Sequence, residues 1–129
     1  MGETRVNRNA RGRFNIRGKR NLEVDLGSND HEKFAVVEKD LDPNLPETSS
    51  DMVPIQWIAA FGIRHLKVDK TLGDYADVEY VATMDAIPKG SRIFTYYGNA
   101  VHEETNFETT GNRTRVVLKI GDPPIGFGP

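Results

Sequence analysis

The side chains able to do chemistry are unevenly spread along this chain of 129 residues. Seven bases, Arg5, Arg8, Arg11, Arg13, Arg17, Lys19 and Arg20, fall within the first 20 residues against a single acid, Glu3. The remainder holds ten bases and 18 acids, so a +6 segment precedes a −8 body and the net charge of −2 conceals the separation. Cations at that density can neutralise phosphates or fit an acidic protein surface. The three histidines, His31, His65 and His102, never stand four residues apart, which excludes the helical two-histidine zinc arrangement. There is no cysteine, so disulfides, thiolate metal sites and cysteine nucleophiles are excluded as well. Asp69, Asp74 and Asp77 lack the alternate-residue spacing of a calcium loop. No serine stands in a nucleophile elbow and no glycine-rich loop has phosphate-binding spacing. No metal site and no cofactor is expected from these patterns.

The pair Tyr96-Tyr97 followed by Gly98 stands out among the aromatics. On its own it reads as a cross-strand packing pair, worth about 0.2–1 kcal/mol. The longer stretch Val81-Ala82-Thr83-Met84-Asp85-Ala86-Ile87-Pro88-Lys89-Gly90-Ser91-Arg92-Ile93-Phe94-Thr95-Tyr96-Tyr97-Gly98 resembles the C-terminal segment of SET-domain lysine methyltransferases. In that family a strand, an isoleucine-x-x-glycine turn and a strand ending in tyrosine-glycine recur. Phe34 to Leu41 is similar to the family's opening strand. The resemblance implies a β-clip fold, S-adenosylmethionine-dependent methyl transfer to protein, and Tyr97 as the catalytic tyrosine.

Elements to position these groups are mostly strands. Residues 1–20 have no hydrophobic period, are interrupted by Gly2, Gly12 and Gly18, and read as a basic extended arm. Leu22 to Leu26 alternates strictly, and Lys33 to Glu38 follows as a second strand after the turn residues Gly27-Ser28-Asn29-Asp30. Residues 39–54, with Pro43, Pro46 and Pro54, read as a long loop of the kind that docks partners. The apolar run 55–63 places Ile55, Ile58, Ala59 and Gly62 on one helical face, so a short buried helix is expected, with a buried strand as the alternative. Leu66 and Val68, then Val78 to Met84, alternate as strands, Arg92 to Tyr97 reads as a strand rich in aromatics, and Arg113 to Ile120 as a last strand. Gly73-Asp74 and Thr110-Gly111-Asn112 mark turns, and Ile87-Pro88-Lys89-Gly90 a type I turn with proline second. The tail 123–129 holds no regular structure by itself.

The expectation is therefore mainly β: a small barrel, sandwich or β-clip-like domain of about six or seven strands, at most one short helix and extended termini. It divides as arm 1–20, body 21–122 and tail 123–129. Hydrophobic residues at 37% and charged residues at 28% suit one domain with a real core. No apolar run reaches the roughly 18 residues of a spanning helix, and residues 1–20 contain no secretory h-region. The cytoplasm or a virion is the expected place, with no membrane contact. Asn112-Arg113-Thr114 then reads as an ordinary turn, not a glycosylated one. The functional expectation is a non-enzymatic subunit of a larger assembly, such as a capsid-decorating or cementing protein. It would dock onto other protein chains through Arg5, Arg8, Arg11, Arg13, Arg17, Lys19 and Arg20, the 39–54 loop, and Phe127 in the tail. The alternatives are the methyltransferase and nucleic-acid binding by the arm.

Overall fold

The computed structural model describes residues 4–27, 34–65, 78–119 and 124–129. Among them it has eleven strands, no helix, and two antiparallel sheets that do not close into a barrel. The first sheet runs β1 (Thr4–Val6), β4 (Phe34–Lys39), β5 (Gln56–His65), β11 (Ile125–Gly128), β7 (Arg92–Tyr97) and β8 (Ala100–Glu104). The second runs β2 (Phe14–Asn15), β3 (Glu23–Asp25), β6 (Glu79–Asp85), β10 (Arg113–Lys119) and β9 (Phe107–Thr110). Alternation decides which face is buried. In β6, Tyr80, Ala82 and Met84 are buried, as are Thr114, Val116 and Leu118 in β10. Their partners from the other sheet include Val36, Ile63, Ile93 and Ile125. Phe61 of β5 meets Tyr80 of β6 edge to face, with ring centres 6.1 Å apart, and joins the two layers. The mainly β expectation holds as a sandwich, with more strands than the six or seven expected.

Four local expectations are corrected. Residues 56–63 of the apolar run are strand and not helix. Central β5 is flanked by β4 and β11, and Ile58 to Ile63 are buried without a break. A strand covered on both faces loses the period of two that would have revealed it. The arm is built into both sheets over its described part, 4–20. β1 pairs with β4 and β2 pairs with β3. Phe14 and Ile16 are buried in the core, with exposed Asn15 between them. Two apolar anchors at strand spacing were enough to dock it. The tail supplies β11, hydrogen-bonded between β5 and β7 in the middle of the first sheet. Ile125 and Phe127 enter the core, and Gly126 faces the other way, in one row between Trp57 and Phe94. A β-carbon on Gly126 would lie 2.8 Å from the Gln56 carbonyl oxygen and 2.9 Å from Trp57. The glycine is what lets the strand lie under that ring. Finally, the turn before β7 is displaced by one residue. Ser91 N–H donates to Pro88 C=O, so proline is first, and Gly90 takes φ 86° in third place.

The 39–54 loop is only partly loose. Trp57 Nε1–H donates to Pro46 C=O at 2.8 Å, fastening the loop to the outer face of the first sheet. Residues 47–55 form a tight hairpin: Ile55 N–H donates to Glu47 C=O, Ser49 N–H donates to Val53 C=O, and Thr48 bridges Pro54. The expected turn at 110–112 joins β9 to β10. His31, the strand at Leu66 and Val68, the Gly73-Asp74 turn, the acids at 69, 74 and 77, and most of the 27–30 turn lie outside the described residues.

Candidate functional site

Tyr97 ends β7 and opens a two-residue hairpin turn, Gly98-Asn99, in which both residues have positive φ. Its ring stacks on His102 of β8, with centres 3.7 Å apart and planes at 11°. His102 Nε2 lies 3.1 Å from the Tyr97 carbonyl oxygen. Tyr97 is 40% exposed, beside a shallow cavity of about 360 Å³ with the side chains of Glu79, Glu103 and Glu104. The segment 81–98 does form strand, turn, strand, but β6 and β7 belong to different sheets.

The seven bases of the arm part company. Asn9 Oδ1 accepts N–H bonds from Arg11 and Arg13, and Asn9 N–H donates to Arg13 C=O, which makes residues 9–13 a closed turn. From it Arg11 Nη2 reaches Glu23 Oε2 at 2.7 Å and Arg13 Nη1 reaches Glu23 Oε1 at 3.7 Å. Arg113, from β10, comes to 3.8 Å of the same carboxylate and pairs with Asp85 at 2.9 Å. Arg17 holds Glu38 and Asp40. Arg20 donates to the carbonyls of Asp85 and Ala86 and lies 4.7 Å over the Phe127 ring. Phe127 is 7% exposed, so this expected partner contact is a core residue. Arg5 and Arg8 point outward on β1 and beside β2, and Lys19 is exposed near β5, where its N–H donates to Ile58 C=O. A cavity of about 700 Å³ opens along the β2–β3 side, and Arg11, Arg13, Arg17 and Arg113 line it with Glu23. Arg113 was not singled out in the sequence. Its alternation in β10 gave its face, but only the pairing of β10 with β6 and of β6 with β3 brings it to the arm.

A third cluster lies at the hairpin 47–55. Arg92 Nη2 bonds Asp51 at 3.0 Å, and Arg92 Nε bonds Glu103 at 3.0 Å. The Arg92 hydrogen bonds hold the Glu103 carboxyl below the usual carboxylate range. A depressed folded pKa contributes stability at neutral pH that is lost as pH falls through the glutamate range. The pair is half exposed, so its contribution is small. Glu103→Gln should remove part of the acid sensitivity. Urea midpoints that fall in parallel for both chains between pH 7 and pH 3 would refute this.

The hairpin's tip carries Met52, 74% exposed and at φ 64°. A non-glycine residue there is strained by about 1 kcal/mol or more. Ser49 maintains the conformation: its Oγ accepts N–H bonds from Asp51 and Val53, and its carbonyl accepts one from Met52. Among the described residues, no three acids or histidines converge as a metal site would need. Among the same described residues no helix is long and apolar enough to cross a membrane. Set against models of protein families, curated proteins and solved structures, the chain finds no match in any of the three.

Proposed function

We propose that the chain is an interaction subunit of a larger protein assembly, docked through the hairpin of residues 47–55. Of the three docking elements expected, the tail is a core strand, and Arg11, Arg13 and Arg17 of the arm are engaged on the chain's own acids, with Arg20 on backbone carbonyls. The loop remains, and the observation that carries the reading is Met52. A large apolar side chain is held out to solvent at positive φ by Ser49, on a hairpin braced by Arg92. Strain maintained around an exposed apolar residue suits an anchor that fills a partner's pocket. Methionine adapts to such pockets at low cost. A protein shell, with this chain as a decorating or cementing component in a virion or the cytoplasm, is the setting that fits.

The test is Met52→Asp in the cells that make the protein, followed by gradient sedimentation. Losing a buried apolar anchor costs about 1.5–3 kcal/mol, or at least tenfold in affinity. The wild-type chain is expected in a fraction far heavier than a 14.5 kDa monomer. The variant should run as the monomer with an unchanged melting temperature. Equal sedimentation of the two would sink the reading.

A further inference from the structure

The arginine-lined cavity has no part in that docking mode. We propose that it is a binding site for a compact oligophosphate anion. Four guanidinium groups and one carboxylate line it, so its wall is strongly cationic within a body that is acidic overall. The other acids that hold these arginines, Asp25, Asp85, Glu38 and Asp40, stand outside the lining. Glu23 sits low, its side chain 11% exposed, while those of Arg11 and Arg17 are 66% and 69% exposed. The carboxylate therefore holds Arg11, Arg13 and Arg113 from below, while the Arg11 and Arg17 side chains stay open to solvent.

Arginine forks match phosphate oxygens, and arginines already ordered lose less entropy on binding. The ordering is visible here: Arg11 and Arg13 come from a turn closed by Asn9, and Arg113 is fixed by Asp85 and by the carbonyls of Asn21 and Thr83. The volume of about 700 Å³ suits a ligand of small-molecule size. Among the described residues no aromatic ring lines it for a base to stack on, so the phosphates and not a base are recognised. The −8 charge of residues 21–129 repels a long polyanion that would run beyond the cavity.

Sodium tripolyphosphate and, separately, ATP are titrated calorimetrically into three chains at low and at high salt. These are the wild type, Arg11→Gln/Arg17→Gln, and Lys89→Gln, which lies on the Pro88 turn outside the cavity. The wild type should bind tripolyphosphate with an affinity that falls as salt rises. The double variant should bind at least tenfold more weakly, and Lys89→Gln should match the wild type. Thermal melts establish that all three are folded. Tripolyphosphate should bind at least as tightly as ATP, and tighter ATP binding, which would mean that the base is recognised, counts against the proposal. No binding at millimolar ligand, or equal loss in the double variant and in Lys89→Gln, overturns the proposal.

Discussion

A chain ended after residue 123 should not fold cooperatively. It lacks β11, and with it the hydrogen-bond partner of both β5 and β7 in the middle of the first sheet. Ile125, fully buried, and Phe127, 7% exposed, leave the core at the same time. The graded form of this experiment is Phe127→Ala. Removing a buried phenylalanine costs about 3–5 kcal/mol, against a total stability of roughly 5–15 kcal/mol for a domain of this size. The Arg20 guanidinium, which rests on that ring, also loses its platform. At about 3–6 °C per kcal/mol, the melting temperature should fall by 10 °C or more. A truncated chain that melts with the wild-type transition would show that the strand is dispensable, contrary to its central place.

The second large effect concerns Glu23. Arg11 and Arg113 replaced together by leucine would leave this buried carboxylate with Arg13 alone, at 3.7 Å. A buried charge stripped of its partners costs about 3–5 kcal/mol, because it has left water without replacing it. The arginines themselves are partly exposed, so their removal contributes less than the stranding of the acid. Adding Glu23→Gln to the double variant should therefore recover stability in urea unfolding. A triple variant less stable than the double one would mean that Glu23 is not the group that suffers.

The sequence shows the sandwich best where one face is wet. β3, β6 and β10 each alternate, and the structure buries the apolar set of each. It shows least where burial is two-sided or the partner is distant. β5 carries apolar residues on successive positions, and helical and strand arrangements of Ile58 to Ile63 differ only in what packs on them. The tail Ile125-Gly126-Phe127-Gly128 does alternate, but four residues carry too little information without β5 and β7 on either side. The arm showed its charge and hid its order. Nothing local indicates that Glu23 waits for Arg11 and Arg13 or that Glu38 waits for Arg17, although each acid lies in a segment already legible as a strand. Met52 is a similar case, since its exposure and positive φ follow from hydrogen bonds to Ser49 that no pattern announces.

The position of β11 bears on how the protein is made. A strand late in the chain completes the centre of the first sheet, so β5 and β7 emerge from the ribosome with their facing edges unpaired. Pairings across such sequence separations form slowly. During that interval the gap is open to the same strand from a neighbouring nascent chain, a route to exchanged dimers at high expression. Slower synthesis or lower temperature should raise the yield of monomer.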